Sequence, residues 1–258
     1  MLKGGSVRKS PDSYRLRTYR DLADDKDLVS SFFRLKETDL HILAEKDVTR
    51  EAGELATKYR LQVERYIESR PEFAKALIPL ADDQLAPPII SKMLHAGMIA
   101  GVGPMAAVAG GIAEYVGRGL VEAGHKEVIV ENGGDLFVQR SVELTISVYA
   151  GQSPLSNRLG MRLEPEQMPL GICTSSGTVG HSLSFGEADS VTVLADSAFI
   201  ADATATRLGN EVGTSDNAKE SIAKALAVAG QIELIRGVLV ICGETMGAVG
   251  NIELKPLS

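Results

Sequence analysis

The chain has 258 residues, of which 44% are hydrophobic and 24% are charged, and its formal net charge is −7. This composition is typical of a globular protein with a sizeable core. The net charge of −7 argues against a general nucleic-acid binder, because phosphate contacts need a concentrated basic surface. The length fits a single domain over residues 1–258, and two closely packed lobes are also compatible with it.

The N-terminal part of the chain is predicted to change from a lead-in to strands. The first twenty residues are locally basic and lack the apolar core of a secretory signal, so a partly disordered lead-in is expected over residues 1–12. A first strand is predicted over 13–19. Alternation of apolar and polar residues then predicts a hairpin over 29–47 that turns at Glu37–Asp39.

The middle of the chain is predicted to be helical. A long polar helix starts at Thr49, which suits the N-cap position. After an Ala-Pro-Pro joint, a second helix is expected over 89–101. A third begins near Pro104, a residue favoured in the first turn, and ends at Gly124, a common C-terminal stop.

Two features bear on the cellular setting. The apolar stretch Ala96–Ala113 contains several glycines and a proline but few large aliphatic residues, so it is expected to be a packed helix and not a membrane span. Cys173 and Cys242 lie far apart and lack CxxC spacing. One disulfide is compatible with them, but a reduced, cytoplasmic chain is favoured.

The second half of the chain is predicted to be rich in strands. A strand, turn and strand surround Asn-Gly-Gly-Asp, and further strands are expected over 142–150, 160–163, 170–176 and 190–194. A helix starting near Ser197, a helix over 216–229 and two short strands complete the chain. Because helices and strands mix without regular βαβ alternation, the predicted class is α+β, with mixed or antiparallel sheets packed in layers with helices.

A carboxylate and a hydroxyl lie one turn apart in the helix that starts near Ser197. Asp202 and Thr206 share a face made mostly of small residues. Asp202 is too far inside the helix to be its N-cap, for which Asp196 or Ser197 is better placed. Two hard oxygens at this spacing suit a small cation such as Mg²⁺. The alternative is an ordinary exposed helical aspartate.

Two glycine-containing turns are candidate ligand sites. Gly133, Gly134 and Asp135 follow an apolar strand, which predicts either a plain hairpin turn or a turn that lets the main chain approach a ligand. Thr174, Ser175, Ser176 and Gly177 follow another strand and precede His181. Hydroxyl and backbone N–H donors on a glycine-containing loop can bind a phosphate, although a polar surface loop has the same composition.

The order of these motifs resembles that of the ApbE-like family, the FAD:protein FMN transferases. The shared elements are a helix that ends at a glycine, the Gly-Gly-Asp turn, a Thr-Ser-Gly segment leading to a histidine, and a Val-Thr-Val strand followed by an Ala-Asp-x-x-x-Thr helix. The matching segment runs from about Pro104 to Gly209. The resemblance implies an ApbE-like layered fold and transfer of FMN from FAD, with Mg²⁺, to a Thr or Ser of an acceptor protein, releasing AMP.

The resemblance also implies roles for individual residues. Asp202 and Thr206 would be Mg²⁺ ligands, while the Gly133–Asp135 turn and the Thr174–Gly177 loop would line the flavin-nucleotide site. His181 is a candidate general base by residue type and neighbourhood alone. The sequence singles out no other residue as a general base.

Within the matching segment, the chain departs from the family pattern at two places. The segment after His181 lacks the Asp-Pro-x-Thr-Gly type of sequence, and no lysine stands near the start of the preceding helix, where the sequence reads AVAGG. The chain resembles a short, cytoplasmic branch that is associated with sulfur amino-acid (homocysteine) assimilation. Three possibilities therefore stay open: an FMN transferase, a non-catalytic flavin- or nucleotide-binding partner, or a fold relic in which Asp202 has only a structural role. The acceptor protein and a homo-oligomeric state are also left open.

Overall fold

The fold was established from a computed structural model, in which residues 27–177, 186–213 and 217–257 are described. The predicted lead-in at 1–12, the predicted strand at 13–19 and His181 lie outside these residues.

The described residues form alternating groups of helices and strands. The helices are α1 (Thr49–Ser69), α2 (Glu72–Lys75), α3 (Pro88–Ala100), α4 (Val108–Glu122), α5 (Ala198–Gly209) and α6 (Ala218–Ala229). The strands are β1 (Val29–Leu35), β2 (Thr38–Ala44), β3 (Val128–Asn132), β4 (Asp135–Gln139), β5 (Leu144–Ser147), β6 (Leu159–Leu163), β7 (Leu170–Ser175), β8 (Ser190–Ala195), β9 (Ile235–Cys242), β10 (Thr245–Gly250) and β11 (Glu253–Pro256). Short 3₁₀ turns at Pro104–Ala107 and Pro165–Gln167 complete the set.

The strands form two sheets. The larger sheet has eight strands in the order β1-β2-β3-β4-β7-β8-β9-β10, and each neighbouring pair in it is antiparallel. The smaller sheet has three strands in the order β11-β6-β5. The predicted α+β class with layered antiparallel sheets is therefore confirmed.

The large sheet separates two apolar cores, because successive side chains on a strand point to opposite faces. On β3, Val128 and Val130 belong to the core shared with the helices, whereas Ile129 belongs to the core shared with the small sheet. The same alternation places Phe137 with the helices and Val138 with the small sheet. Both faces of the large sheet are thus covered, which explains why every residue of β3 and β8 is buried.

Small residues let α5 lie close to β7. A Cβ atom added at Gly171 would lie only 2.3 Å from the Cα atom of Ala198, the first residue of α5. Any larger residue at Gly171 would push the helix away from the sheet. The small-residue face that was recognised in the sequence therefore serves this close packing.

Several predicted boundaries shift by a few residues. The first hairpin turns at Lys36 and Glu37, earlier than predicted, since Thr38 already begins β2 and Lys36 has a left-handed φ of 54°. The strand expected over 142–150 is shorter, at Leu144–Ser147. β10 is not predicted from the sequence, because TMGAVG contains two glycines and little β-branched character.

The two apolar helices of the middle region form a bent pair. Among the described residues, no single helix has the length and hydropathy of a membrane span. Only α3 and Pro104–Glu122 taken together meet those criteria, and they are bent by 107° with respect to each other.

Candidate functional site

The Gly-Gly turn joins β3 to β4 at the edge of the helix layer. Asn132 pairs with Asp135 across the turn, and Gly133 and Gly134 have φ values of 69° and 104°. Side chains other than glycine rarely adopt these conformations, so the turn needs this sequence. The Glu131 side chain accepts a hydrogen bond from the Gly134 N–H (2.8 Å) and steadies the turn.

Asp135 is a buried carboxyl at the start of β4. It shares the helix-facing side of that strand with Phe137. Its Oδ1 accepts a hydrogen bond from the Thr174 N–H (3.2 Å) of β7. Burial raises the pKa of Asp135 to about 7; the hydrogen bonds from Thr174 and the Cys173 thiol oppose this shift, and the charge of Glu131 adds to it. Near neutral pH this carboxyl can therefore hold or release a proton.

The Thr-Ser-Ser-Gly segment divides between the two faces of the large sheet. The Thr174 hydroxyl bonds the Thr192 hydroxyl (3.0 Å), and its N–H is the group that reaches Asp135. Ser175 lies two residues from Cys173, which faces the helices, and so projects to the same side as Asp135. Gly177 donates its N–H to the Ala188 carbonyl (2.9 Å). Of the predicted hydroxyls on β7, Ser175 is the one on the side of the carboxylates.

Asp202 is not an exposed helical aspartate. Its Oδ2 accepts a hydrogen bond from the Gly110 N–H (2.9 Å), in the first turn of α4. Burial raises the pKa of Asp202 well above its ordinary value, and the negative charge of Asp135 raises it further. The N–H groups of Gly110 and Ala109 oppose that rise. Asp202 thus contacts the N-terminus of α4, and Asp135 is close enough for its charge to raise the pKa of Asp202.

Asn132 is a further residue at the candidate site that was not predicted from the sequence. Its side-chain amide donates to the Ala109 carbonyl (3.0 Å), so it links the end of β3 to the first turn of α4. The only signal in the sequence was its position directly before the two glycines. It therefore holds the glycine turn beside the helix end that Asp202 contacts.

Thr206 is the second predicted cation ligand. It lies one turn after Asp202 on α5 and is partly buried. Within the described ranges, no group of three or more His, Cys, Asp or Glu side chains could hold a metal ion. Any cation at this site would therefore need other oxygen ligands besides Asp135 and Asp202.

The fold and the site together define a layered α+β protein in which a partly buried carboxyl, Asp202, contacts a helix N-terminus and a buried one, Asp135, begins the strand after the glycine turn. A family model described as "AbpE bacteria" matches residues 20–254. The chain belongs to this ApbE-like family.

Two UPF0280 proteins are similar to this chain over most of its length. A UPF0280 protein of Methanococcus aeolicus is 45% identical over 196 residues, covering 75% of this chain and 78% of the relative. A UPF0280 protein of Methanosarcina acetivorans is 40% identical over 225 residues, covering 87% of each chain.

Two crystal structures share the fold. The flavinyl transferase ApbE of Pseudomonas stutzeri, in its apo form, has a TM-score of 0.53 and 11% identity, covering 86% of this chain and 93% of that one. The ApbE protein of Thermotoga maritima has a TM-score of 0.50 and 13% identity, covering 85% and 96%. At these identities the likeness shows the fold alone.

Proposed function

We propose that this protein binds FAD together with Mg²⁺ at the N-terminus of α4 and transfers the FMN moiety to a Thr or Ser of an acceptor protein, releasing AMP. Membership of the ApbE-like family and the fold shared with a flavinyl transferase support this function. The observation that carries it is the contact of Asp202 with the first turn of α4, to which Asn132 ties the Gly133–Gly134 turn.

The chemistry of the donors fits a hard cation. Mg²⁺ prefers oxygen ligands, and in proteins it commonly keeps several waters and uses one or two carboxylates together with substrate phosphates. Asp202 and Thr206 are the proposed ligands, and Asp135 is the second carboxylate close enough to influence Asp202.

The flavin nucleotide is proposed to lie between the glycine turn and the end of β7. Gly133 and Gly134 carry no side chains and leave the main chain accessible to a ligand. Ser175 offers a hydroxyl on the same side as Asp135, followed by Ser176 and Gly177. The N-terminus of α4 also favours negative charge, as its contact with Asp202 illustrates.

The proposed ligands and the glycine turn would bind and orient the cation and the nucleotide, and would not take part in bond making themselves. When bound, Mg²⁺ neutralises the diphosphate and stabilises charge on the leaving phosphate. Asp202 and Thr206 would hold the cation, and the glycine turn would set the distance between the nucleotide and the helix end. His181 remains the proposed general base.

A second candidate function is a flavin- or nucleotide-holding partner protein without chemistry of its own, in sulfur amino-acid (homocysteine) assimilation. The observation that favours it is the hydrogen bond from Gly110 to Asp202, since this carboxyl already has a structural role. Under this alternative, ligand binding persists without turnover.

One assay separates these functions. The purified protein is incubated with FAD, Mg²⁺ and candidate acceptor peptides, and AMP and covalent flavin are measured. Asp202→Asn is compared with Asp196→Asn, which changes an aspartate that is 74% exposed and paired with Arg236. AMP release that is lost only in Asp202→Asn supports the transferase. FAD binding without AMP supports the partner protein, and a folded protein that binds no FAD excludes both.

A further inference from the structure

Glu114 is a fully buried carboxylate in the middle of α4. Its Oε2 accepts hydrogen bonds from the Ala198 N–H (2.6 Å) and the Ser197 hydroxyl (2.8 Å). Its Oε1 accepts from Arg118 Nε (2.8 Å), one turn further along the same helix. A buried glutamate is normally paired in this way, since an unpaired buried charge is costly.

These contacts cap the N-terminus of α5 from outside. Ser197 occupies the N-cap position, as the sequence suggested, but its side chain makes no capping hydrogen bond. It donates its hydroxyl to Glu114, and Glu114 takes over the cap by accepting the first N–H of α5. The cap is thus supplied by a residue 84 positions away in the chain.

The two helices cap each other. Glu114 of α4 holds the N-terminus of α5, and Asp202 of α5 holds the N-terminus of α4 through Gly110. Gly110 makes this crossing close, because a Cβ atom there would lie 2.5 Å from the Ala198 carbonyl oxygen and 2.9 Å from the Asp202 Cβ. Ala198 and Asp202 are one helical turn apart. A shift of α5 at its first residue therefore moves the Asp202 carboxyl.

From this geometry we infer that Glu114 is a positioning residue for the proposed cation site: by fixing the start of α5 it sets where Asp202 and Thr206 present their oxygens. This inference rests on the proposed function. Glu114 itself touches neither cation nor nucleotide in this account. Its contribution is the placement of the helix, and small misplacements of binding groups have large effects on a site.

Two conservative substitutions separate position from charge. Glu114→Asp keeps the charge but shortens the side chain by one methylene, so the carboxylate is drawn away from Ala198. Glu114→Gln keeps the length, and its amide oxygen can still accept from the Ala198 N–H. Arg118 then loses its partner, but its side chain is 44% exposed and can be hydrated.

A matched control is available on α1. Glu64 is also paired with an arginine one turn away, through Arg60 Nε at 2.9 Å, and its second partner is Lys36 of the β1–β2 turn. Glu64→Asp therefore makes the same chemical change in a similar ion pair on another helix. It is expected to leave cation binding unchanged.

Mg²⁺ is titrated by calorimetry into each folded variant in the presence of saturating FAD, with circular dichroism confirming the fold. We expect Glu114→Asp to weaken Mg²⁺ binding by at least about tenfold and Glu114→Gln to stay within about threefold of the wild type. Equal affinities in Glu114→Asp and the wild type overturn the inference. Equal weakening in Glu114→Asp and Glu114→Gln also overturns it, because position would then not be the cause.

Two further outcomes are distinguishable. If the wild type binds no Mg²⁺ with FAD, the proposed function fails and takes this inference with it; if the wild type binds and the variants do not differ, only this inference fails. Should Glu114→Asp not fold, Ser197→Ala decides the matter. It removes one donor to the same carboxylate, so weaker Mg²⁺ binding supports the inference and unchanged binding contradicts it.

Discussion

Gly110 offers a sharp test of the crossing between α4 and α5. In Gly110→Ala the new methyl group would lie 2.5 Å from the Ala198 carbonyl oxygen and 2.9 Å from the Asp202 Cβ. The carbonyl belongs to the main chain of α5 and cannot turn away as a side chain could. One of the two helices must therefore move.

Three effects set the change in the free energy of unfolding: two destabilise the protein and one opposes them. Overpacking of a tight contact costs about 1–3 kcal/mol, and weakening the hydrogen bond from Gly110 to Asp202 adds about 1 kcal/mol. Alanine has the higher helix propensity, which returns at most about 1 kcal/mol. We therefore expect Gly110→Ala to lower the free energy of unfolding by about 1–3 kcal/mol.

Gly119→Ala is the matched control on the same helix. Its methyl group would meet the Leu55 side chain at 2.8 Å, and the contacting atoms are the ends of a flexible side chain that can rotate away. The control is expected to be neutral or slightly stabilising. Urea unfolding followed by circular dichroism measures both variants. A Gly110→Ala protein as stable as Gly119→Ala would refute the account of the helix crossing.

Three further predictions concern the carboxyl of Asp135, the packing of β7 on α5, and the side of the sheet on which FAD binds. Burial raises the pKa of Asp135 to about 7, so the folded protein keeps a proton that the unfolded chain releases near pH 4. The unfolding free energy of the metal-free wild type, relative to Asp135→Asn, should therefore fall between about pH 4 and 7 and be constant above about pH 7, which urea titrations at several pH values measure. Gly171→Ala, which places a methyl group 2.3 Å from the Ala198 Cα, should lower the melting temperature far more than Gly119→Ala does; equal melting temperatures would contradict the packing of β7 on α5. Ser175→Ala should weaken FAD binding in a fluorescence titration, whereas Thr174→Ala should leave it unchanged because that hydroxyl faces Thr192; the opposite result would place the nucleotide on the other face of the sheet.

The order of helices and strands could be predicted from the sequence because the signals are local. Thr49 indicated the start of α1, Pro104 and Gly124 indicated the limits of α4, and the Asn-Gly-Gly-Asp sequence indicated the turn between β3 and β4. The site helix α5 was also recognised, with Asp202 on a face of small residues. β10 could not be predicted from its local sequence, because its glycines give a weak strand signal and the strand depends on pairing with β9.

The contacts that build the site could not be predicted, because they join distant parts of the chain. The hydrogen bond from Gly110 to Asp202 spans 92 positions, and the one from Ala198 to Glu114 spans 84. No periodicity in the sequence reports such pairs. The side of the sheet to which Thr174 points also depends on which core each face meets, and this was known only once the strand order was known.

The central claim is that Asp202 supports Mg²⁺-dependent binding of FAD. Its most direct test is a titration of FAD with and without Mg²⁺, in the wild type, in Asp202→Ala and in the control Asp196→Ala. Mg²⁺ should tighten FAD binding in the wild type and in Asp196→Ala, and this gain should fall by at least about tenfold in Asp202→Ala. An identical Mg²⁺ effect in all three folded proteins would contradict the claim.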